Sequence, residues 1–198
     1  NENFYESCDL LMAISKQTYN INNNVCQRKP RIEGKDLTYV QHGINEKVYF
    51  PIDKNSPDFA EYYDFISEKG LNEYDTIFFF NSRNIRRKSV SDLVLAYRLF
   101  CETLTKEEAS KCLMLLHTDP VDNNGTDLPA LIRALCPDYK VIFSGGKLPA
   151  KQLNYLYNVA SMTCQPSSAE GFGLSVMESI MSGTPILGTV LGGIQDQM

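Results

Sequence analysis

No stretch of this chain approaches the ~20 consecutive apolar residues of a membrane helix, and residues 1–9 are too polar for the apolar centre of a secretory leader. A soluble, unexported chain is expected. Net positive charge is also lacking: 19 Lys plus Arg stand against 24 Asp plus Glu, a formal net charge of -5, so no overall field gathers nucleic acid or anionic lipid. Histidine is scarce, two residues without an H-x-x-x-H spacing, and a zinc site has little to build on. The six cysteines show no C-x-x-C spacing, and several fall inside apolar runs, where a thiol behaves as a small hydrophobe. A reducing, cytoplasmic compartment follows as the expectation, and Asn124-Gly125-Thr126 reads as a polar turn rather than a glycan acceptor. Internal repeats and long low-complexity segments are missing as well.

What is present is ordinary globular material. The 198 residues are 43% hydrophobic and 22% charged, enough to bury one good core. From Asp75 onward, short apolar runs alternate with stretches of helical period, the pattern of a parallel sheet covered on both faces. Five strands are predicted, over Thr76 to Phe80, Cys112 to His117, Lys140 to Ser144, Met162 to Gln165 and Pro185 to Val190. Ser89 with Asp92 resembles a helix N-cap box, followed by Leu93, Ala96, Tyr97, Phe100 and Leu104 at helical spacing. Leu128 to Leu135, the stretch opened by Pro149, and Gly173 to Met181 supply three further helices. Right-handed β-α crossovers of this kind give an α/β, Rossmann-like, doubly wound sheet whose ligand site lies at the carboxyl ends of the strands. Residues 1–50 carry two apolar runs around an Asn-rich stretch, one α/β unit rather than a domain. The chain begins without Met and ends just after a predicted strand, so both ends look cut.

Two segments can carry chemistry. Glu170-Gly171-Phe172-Gly173-Leu174 leads from the fourth strand into the last helix. Its glycines let backbone approach a ligand, and a helix start offers N–H groups to anionic or hydroxyl-rich partners; the same turn can also be purely structural. Glu178 is placed one turn after Leu174, beside a predicted apolar stripe of Leu174, Met177 and Met181. A carboxylate there is either salt-bridged to a nearby cation or accepts hydroxyls from a ribose. The second segment, Arg83-Asn84-Ile85-Arg86-Arg87-Lys88, sets four cations at the carboxyl end of the first strand, where a diphosphate would be gripped by arginine and lysine. Arg86 and Arg87 read as solvated.

With those residues in view, the sequence resembles the donor-binding half of GT-B glycosyltransferases, in particular glycosyltransferase family 4, also called glycosyl transferases group 1. Glu170-Gly171-Phe172-Gly173-Leu174 with Glu178 looks like that family's E-x7-E motif. Gly183-Thr184-Pro185 and Gly192-Gly193 look like its G-x-P segment and glycine pair, Gly43-Ile44-Asn45 with Phe50-Pro51 like its interdomain segment, and Arg83 with Lys88 like its basic pair. The resemblance implies retaining transfer from a UDP-, GDP- or ADP-sugar to a sugar, glycan or other hydroxyl acceptor, with no cofactor, no metal and no D-x-D motif. By the same resemblance Glu178 holds the ribose, Arg83 and Lys88 neutralise the leaving diphosphate, Glu170 contacts the donor sugar, and Gly171, Phe172 and Gly173 line the pocket beside Leu174. Residues 1–52 are then the tail of an acceptor domain and its linker, and residues 53–198 a donor-binding domain truncated at its C-terminus. Such a chain is expected to be inactive alone and to self-associate through uncovered strand edges. A donor-site module serving a partner subunit is the alternative. Ser82, Asn45 and His117-Thr118-Asp119-Pro120 depart from the family pattern.

Overall fold

A computed structural model describes residues 2–28 and 35–198. The chain divides into two compact units: residues 1–43, 169–174 and 190–198 form one, residues 44–168 and 175–189 the other.

In the smaller unit, α1 (Glu2–Glu6) precedes β1 (Leu10–Ala13), α2 (Lys16–Arg28) and β2 (Asp36–Tyr39), and β1 and β2 pair in parallel. The Asn-rich stretch lies within α2, whose first turn is capped by Ser15 Oγ accepting from Thr18 N at 3.2 Å. Residues 192–196 form a 3-10 turn, and Asp196 Oδ2 accepts from Lys16 N at 2.7 Å and from Tyr39 Oη at 3.0 Å.

The larger unit runs α3 (Phe59–Glu68), β3 (Thr76–Asn81), α4 (Val90–Glu102), α5 (Lys106–Ser110), β4 (Cys112–His117), α6 (Leu128–Leu135), β5 (Val141–Phe143), α7 (Ala150–Val159), β6 (Met162–Gln165), α8 (Leu174–Met181, whose Leu174 belongs to the smaller unit) and β7 (Ile186–Gly188). Its five strands are all parallel, in the order β5-β4-β3-β6-β7. The period of two in β3 explains both cores: Phe78 and Phe80 join Leu93, Tyr97, Met114 and Leu116 on one face, while Ile77 and Phe79 join Phe65, Leu113, Leu115 and Tyr157 on the other. No helix among the described residues is long and apolar enough to cross a membrane.

All five predicted strands are present, the third and fifth shorter than expected. Two helix details differ. Ser89 makes no side-chain cap: it sits at φ 50 in the left-handed region, closing the 3-10 turn of Arg86–Lys88, and that backbone does not present its hydroxyl to α4. The buried stripe of α4 is Val90, Leu93, Val94, Tyr97 and Cys101, rotated from the expected one, so Ala96 is exposed and Phe100 meets Phe78 only edge-on.

Candidate active site

The connection after β3 runs to β4 on one side of the sheet, whereas the connection after β6 runs to β7 on the other. Adjacent β3 and β6 therefore flank the switch point at which open α/β sheets place ligands. Ser168, in the loop leaving β6, donates its N–H to Arg87 O at 2.8 Å, in the basic loop leaving β3.

One asparagine ties that basic loop to the loop after β4. Asn84 is fully buried and donates Nδ2 to the carbonyls of Asp119 (3.2 Å), Pro120 (3.4 Å) and Thr126 (2.6 Å), while its Oδ1 accepts from Thr126 N at 3.2 Å. Gly125 lies against Asn84 O so closely that a Cβ would come within 2.0 Å of it. The Asn124-Gly125-Thr126 segment is thus a turn, as expected. Arg83 itself is exposed and forms a two-pronged ion pair with Asp122, Nε to Oδ2 at 2.7 Å and Nη2 to Oδ1 at 3.3 Å. The bond to Asp122 raises the guanidinium's affinity for its proton, and the same bond holds the Asp122 carboxyl below the usual aspartate value. Lys88 is buried in the 3-10 turn.

Asn81 and His117 are register partners at the carboxyl ends of β3 and β4, and with Ser82, Arg83, residues 118–120, Phe143, Gly145, Gly146 and Lys147 they line a cleft of about 760 Å³. His117 Nδ1 lies 2.6 Å from Ser144 Oγ, and burial pushes its pKa down, against an opposing pull from Asp119. The lowered pKa favours the neutral imidazole, which hydrogen-bonds to Ser144 as a polar group.

Glu178 sits on α8, half-buried. Among the described residues no cation pairs with its carboxylate. Tyr157, whose side chain is fully buried, donates its hydroxyl to Glu178 Oε2 at 2.7 Å and accepts from Asn81 Nδ2 at 2.7 Å. Burial, with the Glu178 charge adding to it, pushes the Tyr157 phenol well above its ordinary pKa, and the Tyr49 phenol is raised by the same two causes. The expected stripe on α8 needs correction. Leu174 is exposed, and the buried positions are Val176 and Ser179, because Ser179 Oγ reaches inward to Thr163 Oγ1 (2.8 Å) and Thr184 O (3.0 Å).

In the smaller unit, Glu170, Gly171, Phe172 and Gly173 form a turn packed on the glycine pair. Gly193 N donates to Glu170 O at 3.0 Å, and a Cβ on Gly192 or Gly193 would meet Glu170 O at 2.0 Å or Gly171 O at 2.3 Å. Gly173 adopts φ 92, open to glycine and strained for other residues. Phe172 is buried edge-on against His42 at 5.2 Å.

Beyond this geometry, the family model described as glycosyl transferases group 1 matches residues 63–198. The chain belongs to this family. Among curated relatives of this group 1 member, the N-acetyl-alpha-D-glucosaminyl L-malate synthase of Bacillus anthracis is 28% identical over 193 residues, 96% of this chain and 44% of that protein. Among solved structures, Anabaena Alr3699/HepE in complex with UDP-glucose aligns with a TM-score of 0.74 at 16% identity, over 99% of this chain and 49% of that one. Sucrose-phosphate synthase from Thermosynechococcus elongatus aligns at 0.70 and 22%, over 98% and 44%. These likenesses match the α/β parallel sheet to the Rossmann-like domains of GT-B enzymes. The chain spans less than half the length of these relatives.

Of the residues expected in the site, Arg83, Lys88 and Glu178 belong to the larger unit, and Glu170, Gly171, Phe172, Gly173 and Leu174 to the smaller. Asn84, Asp122, Asn81 and Tyr157 were not foreseen. Asn81 lies one residue past the predicted strand Thr76 to Phe80 and Tyr157 lies in the helical stretch opened by Pro149, neither marked by charge or motif, and Asp122 lies 39 positions from the arginine it holds.

Proposed function

We propose that this group 1 family member is the donor-binding half of a retaining, metal-independent glycosyltransferase of carbohydrate biosynthesis, with residues 1–52 as acceptor-domain tail and linker and residues 53–198 as the donor-binding domain. The observation that carries the reading is Glu178: a half-buried carboxylate at the carboxyl end of the sheet, fixed by a neutral tyrosine hydroxyl. Held that way, with no cation paired to it among the described residues, it can accept ribose hydroxyls, each charge-assisted bond worth roughly 1.5–3 kcal/mol. Arg83 and Lys88 take the diphosphate, and the cleft beside Arg83 has room for the nucleoside. Glu170 contacts the donor sugar, and the Gly171 to Gly173 backbone lines the sugar and phosphate pocket beside Leu174. A UDP-glucose complex of a protein with the same fold supports a nucleotide-sugar donor.

In the transfer, the bond from the sugar's anomeric carbon to the diphosphate oxygen breaks while the acceptor oxygen bonds to the same face. The acceptor's proton passes to the departing phosphate oxygen, whose growing negative charge Arg83 and Lys88 offset. Glu170 orients rather than attacks. The acceptor is a sugar, glycan or other hydroxyl compound, and its binding and the transfer require the rest of an acceptor domain, so this chain alone is expected to bind donor without transferring it. Six free thiols, four of them buried, support a cytoplasmic setting, and the open order of the five-stranded sheet, with β5 and β7 at its edges, supports self-association.

A millimolar nucleoside diphosphate should raise the thermal midpoint of the chain by linkage, and Glu178→Ala should abolish the rise with circular dichroism unchanged. Absence of any shift with UDP, GDP and ADP alike would overturn the donor-site reading.

A further inference from the structure

Arg83 presents an unusual combination: an exposed guanidinium proposed for a diphosphate, yet already bonded to a carboxylate. Its side chain is 60% exposed while that of Asp122 is only 8% exposed. The acid is therefore the fixed member of the pair and the arginine the member that faces solvent and the cleft. Asp122 is fixed from several sides. Its Oδ1 accepts from Asn124 N at 2.8 Å, its carbonyl accepts from Gly125 N at 3.0 Å, and the loop that carries it is pinned by Asn84, the chain neighbour of Arg83. Arg86 N adds a bond to Asn124 O at 3.1 Å.

Of the five N–H groups of a guanidinium, this pairing uses Nε–H and one Nη2–H. The edge made by Nη1 and the second Nη2–H takes no partner among the described residues. That edge is a planar fork suited to two phosphate oxygens. We propose that Asp122 is a positioning residue for the donor diphosphate: it holds the guanidinium by its inner edge so that the outer edge is presented, already oriented, to the phosphates. The inference rests on the reading of Arg83 as a diphosphate ligand. Orientation matters for such a side chain because an unrestrained arginine loses rotamer freedom whenever it binds, a loss that preorganisation removes.

The opposite role for Asp122 makes the opposite forecast. A carboxylate beside a diphosphate repels it, and one that sequesters Arg83 competes with it, so on either ground its neutralisation would tighten binding. Positioning requires that neutralisation weaken binding despite the removal of a negative charge. The sign of the change decides.

Isothermal titration of the 198-residue chain with UDP, GDP and inorganic pyrophosphate, and with uridine and guanosine as phosphate-free probes, reads that sign. Asp122→Asn should weaken diphosphate and pyrophosphate binding about tenfold and leave the nucleosides unchanged, the order of one misaligned charge-assisted bond. Asp122→Glu, which keeps the charge and displaces it by one methylene, should weaken the same probes in the same direction. Adding Arg83→Ala to Asp122→Asn should bring no loss beyond that of Arg83→Ala alone. Unchanged or tighter diphosphate binding in Asp122→Asn, with weaker binding in Arg83→Ala, overturns the positioning role and leaves the donor site standing. Undiminished binding in Arg83→Ala overturns the reading of Arg83 itself, and the inference with it. Should both Asp122 variants fold poorly, the unaltered chain still decides: the Arg83 Nε–H resonance should keep its carboxylate-bonded shift at saturating pyrophosphate, and its move to the shift of a free arginine overturns the proposal.

Discussion

The basic turn after β3 and the glycine turn around residues 170–173 solve one problem by different means. Each must be held in a single backbone shape, and each receives a glycine from a distant loop against a main-chain carbonyl, Gly125 on Asn84 O and Gly192 on Glu170 O, both with 2.0 Å to a hypothetical Cβ. The glycine turn is held largely by backbone and by the absence of side chains, with Gly193 N on Glu170 O and Gln197 Nε2 on Phe172 O. The basic turn adds a fully buried amide and an ion pair. The difference teaches that a loop clamped by glycines leaves a motif in the sequence, whereas a loop clamped by a side chain leaves one ordinary asparagine.

Substitutions can break or sharpen that comparison. Gly192→Ala should be the most damaging, because it combines a left-handed φ of 57 with the close carbonyl. A loss of about 3 kcal/mol in urea unfolding is expected. Gly125→Ala, with an equally close carbonyl and no positive φ, should cost less, about 2 kcal/mol. A neutral Gly125→Ala would show that the two turns are not alike. Asn84→Ala should cost about 2 kcal/mol, since it leaves buried carbonyls and the Thr126 N–H short of their partner, and it should weaken pyrophosphate binding together with stability.

The smallest effect is electrostatic. Hydrogen bonding to Arg83 lowers the folded-state pKa of Asp122 from its ordinary 3.8, so the pair's contribution is complete above that value and is lost as the pH falls through the lowered one. Thermal midpoints of the chain between about pH 5 and pH 2 should fall less steeply in Asp122→Asn than in the unaltered protein. Equal slopes would mean that the ion pair does not persist in solution.

The sheet was readable because its strands are buried on both faces, which writes them as unbroken apolar runs such as Thr76–Asn81 and Cys112–His117. The crossovers were readable from helical spacing, although the inward faces of α4 and α8 were misjudged. Ser179 looks like a surface residue until Thr163 is found beneath it, and Leu174 looks like core until the packing leaves it exposed. In the candidate site, Arg83 and Lys88 stood out as cations after a strand end, Glu170 as an acid beside glycines and Glu178 as an acid beside an apolar helix stripe eight positions later.

What holds those charges did not stand out. The amino-acid order by itself determined the parallel sheet, the position of the basic loop at the carboxyl end of its first strand and the glycine-bearing turn, because periodicity, charge and missing side chains act over a few residues. Only the tertiary structure decided that Asp122 grips Arg83 from 39 positions away and that Tyr157 joins Asn81 to Glu178. Hydrogen bonds and ion pairs between distant residues depend on short, directional contacts that no local pattern encodes.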